Sequence, residues 1–454
     1  MQGPTRCSFF KALLWALALV ALLQLLYLSL LSGLHGRQQR SRYSELFGGR
    51  RADAPGRPSE QQKEQLKRAL ASGGRLDASG QYRIYRDMLG PPERAGRAPD
   101  LVLATHTSLS NLHQLQELVG RWQGPVSVAL FAPGPAEVRL ATLMLYALGA
   151  LCGPVRQLVS AHLVCHSGDL AAFPELEDRA EFARLKACGD VFAKLARAGS
   201  GRRNYALGAN ASYPNNLLRN VARGAASGHY TLMLDVDMLP SEGLREAFLA
   251  LVATLDAEGP SGIFVVPAFE IRHTRRLPGA KAELLQLYQV GEIRPFYEEL
   301  CPRCQAPTNY SRWLNLPPDT ALNIAYTVEW RDPWEPFYIS ANSVPPYDER
   351  FKQYGFNRIS QLLSSGEFPL LMLTVVFCET ASTSHAASEH WACELHMAGY
   401  IFSVLNNAFL VHKGFKVPSE FHAQKDAENQ RNKVLFRQFK QELKLKYPGS
   451  LRRC

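Results

Sequence analysis

A second Cys-x-x-Cys is missing from this chain, so Cys301-Pro-Arg-Cys304 does not announce a closed zinc module. Cysteine is sparse as well. Nine in 454 residues are too few for a disulfide scaffold. Cys301 and Cys304 read instead as disulfide-forming, with Cys152, Cys165, Cys188 and Cys393 completing the set and the connectivity open. Much of the net charge of +10 lies in the stretch after residue 36, which has no aromatic-and-basic patch and makes no case for a nucleic-acid partner. Charged residues reach only 20% against 46% hydrophobic, a balance that excludes an overall disordered chain and leaves two to three domains' worth of core.

Ala12 to Leu31 (ALLWALALVALLQLLYLSLL) carries no charge, and as a helix it covers about 30 Å, the thickness of a bilayer's hydrocarbon. The run is longer than the core of a cleaved signal peptide, which favours an uncleaved signal anchor. Arg6 and Lys11 before it are balanced by Arg37, Arg40 and Arg42 after it, so charge leaves the orientation open. Two sequons, Asn210-Ala-Ser212 and Asn309-Tyr-Ser311, fit a secretory compartment. The expected organisation is a cytoplasmic tail (1–11), a transmembrane anchor (12–31), a stem (32–98) and a luminal domain (99–454). The stem is rich in Arg, Gly, Pro, Gln and Ser, with one helix expected at Ser59 to Ala71.

From Asp100 onward strands alternate with helices. Strands are expected at Asp100 to Thr107, Val126 to Phe131, Ala161 to Cys165 and Tyr230 to Leu234. Helices are expected at Leu112 to Trp122, Ala136 to Leu148, Glu181 to Ala198 and Pro214 to Gly224. That alternation predicts an α/β fold, a mostly parallel sheet flanked by helices, with ligands at the carboxyl ends of its strands. Thr105, His106 and Asp235-Val-Asp237 then share one rim. On an extended segment residues two apart face one side, so Asp235 and Asp237 can share a hard divalent cation while Val236 packs inward. Asp-x-Asp alone is more often a solvated turn; here the preceding apolar strand and the anchored context favour the metal. Further on come a helix (Leu244 to Leu255), a strand (Gly262 to Phe269) and a region dense in aromatics. Trp313, Trp330, Trp334, Phe337, Tyr338 and Tyr347 are candidates to stack on sugar rings, although each alone reads more readily as core.

The segments Leu234-Asp-Val-Asp-Met-Leu-Pro-Ser-Glu-Gly243, Val266-Pro-Ala-Phe-Glu-Ile271, Cys304-Gln-Ala-Pro-Thr-Asn-Tyr-Ser-Arg-Trp313, Asp332-Pro-Trp-Glu-Pro-Phe-Tyr338 and Asp348-Glu-Arg-Phe-Lys-Gln-Tyr-Gly-Phe-Asn357 are similar to glycosyltransferase family 49. These are Golgi enzymes of the α-dystroglycan O-mannosyl pathway, related to the glucuronyl domain of LARGE-type enzymes. The resemblance implies a GT-A-type fold, type II topology, UDP-glucuronate as donor, Mn²⁺ as cofactor and β-1,4 transfer of glucuronate onto a xylose. LARGE-type enzymes are implied as partners. Asp235 and Asp237 match the metal motif, and His412 stands where such enzymes place a late ligand, with Lys413 as a helper on the diphosphate. Inversion at the sugar carbon asks for a base on the acceptor hydroxyl. Asp348 and Glu349 are the candidates, with Glu270 behind them. Asn357 stands where comparable inverting enzymes carry an acidic pair. A guanidinium for the glucuronate carboxylate comes from Arg219, Arg272 or Arg275. Leu362 to Trp391 departs from the family, which runs on directly as a helix; the segment reads as a translated intron or a gene-model error. An N-acetylglucosaminyl transferase or a non-catalytic luminal scaffold are the other readings.

Overall fold

The computed structural model describes residues 60–90, 100–199, 212–255, 262–331, 333–355, 357, 393–418 and 423–452, together with Trp15, Leu17, Leu19, Val20, Leu22, Leu23 and Gln24. The chain divides into two units, Met1–Ala54 and Pro55–Cys454. In the first, the seven described residues are helical and exposed. Among the described residues no helix is long and apolar enough to cross a membrane. The rest of the expected span lies outside the described residues, as do Asn210 and Leu362 to Trp391.

The second unit holds fourteen described strands: β1 (Arg75–Leu76), β2 (Tyr82–Leu89), β3 (Leu101–Ser108), β4 (Val126–Ala132), β5 (Val159–His166), β6 (Tyr230–Asp235), β7 (Met238–Pro240), β8 (Gly262–Val265), β9 (Ala268–Ile271), β10 (Ile293–Pro295), β11 (Asn323–Val328), β12 (Tyr338–Ala341), β13 (Ile401–Asn406) and β14 (Leu410–Lys413). Ten form one sheet in the order β1-β2-β5-β4-β3-β6-β12-β8-β13-β11, and four form a smaller one, β10-β9-β14-β7. Strands β5, β4, β3 and β6 are parallel neighbours, as the alternating pattern predicts. The sheet as a whole is mixed, which corrects the expectation of a mostly parallel one. β12 wedges in antiparallel between β6 and β8, and antiparallel pairs flank the parallel centre on both sides.

Two expected boundaries move for identifiable reasons. The strand expected from Gly262 to Phe269 splits at Val266-Pro267, because proline has no N–H to give the ladder; β8 stays in the large sheet and β9 enters the small one. The folded body also starts well before residue 99. The helix Glu60–Ala71 and strands β1 and β2 belong to it, with Leu66, Tyr82, Tyr85, Met88 and Leu89 buried. β2 pairs antiparallel with β5 across a bulge, and its buried positions do not alternate with exposed ones, so its apolar period is weak in sequence.

The helix Asn215–Gly224 covers one face of the parallel centre. Leu217, Leu218, Val221 and Ala222 pack with Ala104, Ala129, Phe131, Val164 and Met233. Each fully buried Leu or Val there contributes about 1.5–3 kcal/mol, which seats the helix and the polar residues on its flank.

Candidate functional site

Asp235 closes β6. In the parallel ladder of β3 and β6 it pairs with His106, so both side chains leave the sheet on one face. His106 Nε2 lies 3.2 Å from Asp235 Oδ1, and its Nδ1 is 2.8 Å from the Tyr213 hydroxyl. On the same face Arg219, from the helix Asn215–Gly224, brings Nη2 to 3.6 Å from Asp235 Oδ1. Its Nη1 donates to Asn216 Oδ1 (2.7 Å) and Asn357 Oδ1 (2.8 Å), and the guanidinium lies 5.5 Å from the Tyr347 ring. Arg219 is 2% exposed.

Asp237 is reached differently. Val236 and Asp237 form a turn rather than a continued strand, so alternation is not what aligns the two carboxylates. Val236 is buried, as expected. β7 follows the turn and pairs antiparallel with β14, with His412 opposite Met238, and this register sets the imidazole next to Asp237. His412 Nε2 lies 3.3 Å from Asp237 Oδ2. Its Nδ1 is 2.8 Å from the Gly414 carbonyl, an acceptor that requires the proton on that nitrogen. Lys416 Nζ stands 3.6 Å from the same Oδ2. Burial works to raise the Asp237 pKa, but Lys416 and His412 outweigh it and hold the carboxyl well below its ordinary range.

Lys413 does not join them. It follows His412 on β14 and therefore points to the opposite face, where Nζ donates to Glu117 Oε1 at 2.9 Å. The cation at Asp237 is Lys416, missed in the sequence although strand alternation already sets Lys413 apart from His412. Thr105 likewise leaves β3 on the face opposite His106; its buried hydroxyl has no hydrogen-bond partner among the described residues. Among the described residues no group of three or more His, Cys, Asp and Glu is assembled around a cation position. The three expected ligands, joined by His106, stand as two imidazole-carboxylate contacts with a cation beside each.

The base candidates separate. Asp348 is buried at 2%, and its carboxylate accepts from Arg350 N, Nε and Nη2, while Arg350 also binds Glu442. Glu270, wholly buried, accepts from Arg294 Nε, Tyr297 N and Lys416 N. Both carboxylates are thus fully engaged within the protein, unlike Glu349. Glu349 is half-buried and accepts one hydrogen bond, from Asn220 Nδ2 at 2.9 Å; burial raises its pKa and that bond opposes the rise. Arg272 and Arg275 are exposed and share Glu292.

The aromatic candidates for sugar stacking are core. Trp313 and Trp334 are wholly buried, and Trp330, Phe337, Tyr338 and Tyr347 are at most 8% exposed. Disulfides join Cys152 to Cys188 and Cys301 to Cys304, and Cys393 is also disulfide-bonded. Cys165 is not: it is a buried thiol whose pKa burial pushes up to about 12. Asn309 is exposed and caps the helix Tyr310–Asn315 through Oδ1 to Arg312 N at 3.1 Å.

With this geometry in hand, residues 100–448 match the family described as "Glycosyl-transferase for dystroglycan". The chain is 51% identical over 465 residues to the Beta-1,4-glucuronyltransferase 1 of Danio rerio and 53% identical over 454 residues to that of Homo sapiens, with 100% of both chains covered in each case. It is 26% identical over 344 residues to the Xylosyl- and glucuronyltransferase LARGE1 of Mus musculus, covering 76% of this chain and 34% of that protein. Among solved structures, S. aureus TarS aligns with 78% of this chain and 40% of its own at 11% identity and a TM-score of 0.31, too distant to inform the site.

Proposed function

Because the chain belongs to the dystroglycan glycosyl-transferase family and is a glycosyltransferase, we propose that it moves glucuronate from UDP-glucuronate, in β-1,4 linkage, onto a xylose of the α-dystroglycan O-mannosyl glycan. Full-length similarity to proteins named for that linkage and that sugar carries the reading. The site residues supply its chemistry. Two carboxylates and one imidazole, with the other imidazole nitrogen held by a backbone carbonyl, are a donor set suited to Mn²⁺. Asp235, Asp237 and His412 would hold it, and when bound it offsets negative charge on the leaving diphosphate. Lys416 adds a second positive charge on the same side. Arg219, buried beside Asp235, is the guanidinium on the donor side. Glu349 takes the proton of the attacking xylose hydroxyl, a role that a burial-raised carboxyl pKa suits. The product sugar is inverted because the hydroxyl attacks opposite the departing diphosphate.

The enzyme works as a single-pass type II protein with its body in the Golgi lumen. Two disulfides and an exposed Asn309 sequon are at home in that oxidising compartment, and LARGE-type enzymes act on its product.

The full chain, with and without Leu362 to Trp391, should be given a β-xyloside, Mn²⁺ and either UDP-glucuronate or UDP-N-acetylglucosamine. Glucuronate transfer by either form upholds the reading. Transfer of N-acetylglucosamine instead replaces the donor, and no transfer from either sugar favours a scaffold.

A further inference from the structure

Lys416 lies three residues beyond the last pair of the β9–β14 ladder, Lys413 with Ile271, so the sheet itself does not fix it. Its position comes from an ion pair between the wholly buried Glu270 and Arg294, which is 19% exposed and also donates to Glu299. Glu270 on β9 accepts Lys416 N–H through Oε2 at 3.1 Å, and the same oxygen accepts Arg294 Nε–H at 3.0 Å. Arg294, on β10, returns to the residue from the other side, donating Nη2–H to the Lys416 carbonyl at 3.1 Å. Both backbone polar groups of Lys416 are thus bound to one ion pair. The turn before it is equally restrained. Gly414, at φ +97, donates to Ile271 O at 2.7 Å and accepts from His412 Nδ1, while the Phe415 ring has the Arg294 guanidinium 4.3 Å and the Arg272 guanidinium 5.1 Å from its centre.

A buried ion pair is seldom more stabilising than apolar residues of the same volume. What the charges add here is direction: two hydrogen bonds to one residue, three places past the strand. We infer that Glu270 and Arg294 are positioning residues, holding the turn so that the Lys416 ammonium and the His412 imidazole both face Asp237. This inference rests on the reading of that face as the UDP-sugar site.

The test is calorimetric binding of UDP in the presence of Mn²⁺ to the full chain, to E270Q, to K416M and to the double variant. Each single variant is expected to weaken binding about tenfold, with the double no weaker than either, since coupled residues are non-additive. Losses that multiply to about a hundredfold mean that Glu270 acts without Lys416, and the inference falls. E270Q binding as tightly as the unaltered chain also overturns it. If E270Q does not fold, R294K serves: its single ammonium keeps the charge but cannot bind Glu270, the Lys416 carbonyl and Phe415 together, and its loss must likewise vanish in the K416M background. An unaltered chain that binds no UDP defeats the donor-site reading and this inference together; binding with no loss in either variant defeats this inference alone.

Discussion

Asp235 and Asp237 on one side, and Asp348 and Glu270 on the other, are four carboxylates that each have an arginine or lysine within reach. Asp235 and Asp237 remain 28% and 18% exposed, and their cations stand at 3.6 Å, outside hydrogen-bonding distance. Asp348 and Glu270 are 2% and 0% exposed and each accepts three or more N–H bonds at 2.7–3.1 Å. An opposite charge nearby therefore separates nothing by itself. Lone pairs wholly occupied inside the protein mark scaffold, and partly exposed carboxylates at the end of a strand mark a place where a ligand can be held.

The largest effect should come from D237N. It is expected to lower kcat/KM by about 10²–10³-fold, the loss typical of removing one group that stabilises developing charge, while the urea midpoint hardly moves. D348N should do the reverse. Breaking its pair with Arg350 is expected to cost about 2 kcal/mol of stability, less than a fully buried pair because Arg350 is 43% exposed. Turnover per folded molecule should stay near the original. A D348N chain that unfolds normally but loses turnover would return Asp348 to the list of bases and break the contrast.

Imidazoles divide in the same way, and pH exposes it. His162 is wholly buried in β5; its Nδ1 accepts from Asp87 N–H at 3.0 Å and its Nε2 lies 3.2 Å from Ser127 Oγ, whose proton goes to the Ala222 carbonyl. Burial, helped by the Arg86 charge, pushes its pKa from 6.5 down to about 3. The folded pKa lies below the unfolded one, so the stability it gives is whole above pH 6.5 and drains as pH falls toward 3. The slope is about 1.4 kcal/mol per pH unit inside that window. H162Q should flatten the dependence of the urea midpoint on pH between 6 and 4 relative to the unaltered chain. An unchanged slope would mean that His162 is protonated in the fold.

How far the sequence discloses this site depends on which contacts made it. β3 and β6 hold apolar runs that end in polar residues, and the rule of ligands at strand carboxyl ends brings His106 and Asp235 to one rim without coordinates. Asp237 and His412 meet through the β7–β14 register, a pairing of short strands far apart in the chain; apolar periodicity carries no trace of it, and only the family resemblance pointed to His412. Lys416 was hidden for the same reason, since its anchor is an ion pair between β9 and β10. Lys413 is another matter, because adjacent strand residues face opposite ways and that alone excludes it from the His412 face. The aromatics from Trp313 to Tyr347 misled because composition cannot say whether a ring fills a core or lines a cleft, and here they are buried in the core. β2 escaped notice because half of it is polar.

The finest separation lies between neighbours on β3. Thr105 and His106 were expected to serve the donor together, yet alternation sends them to opposite faces. His106 reaches Asp235, and the Thr105 hydroxyl is enclosed with no hydrogen-bond partner among the described residues. Removing a buried hydroxyl that makes no bond, with the side-chain shape kept, is close to neutral. T105V should therefore change stability by no more than about 0.5 kcal/mol and kcat/KM by less than about twofold, whereas H106A should weaken UDP and Mn²⁺ binding through the loss of its contact with Asp235. If T105V instead raises the KM for the UDP-sugar severalfold, a bound donor draws that hydroxyl into the site, and the face opposite His106 would have to be counted as part of it.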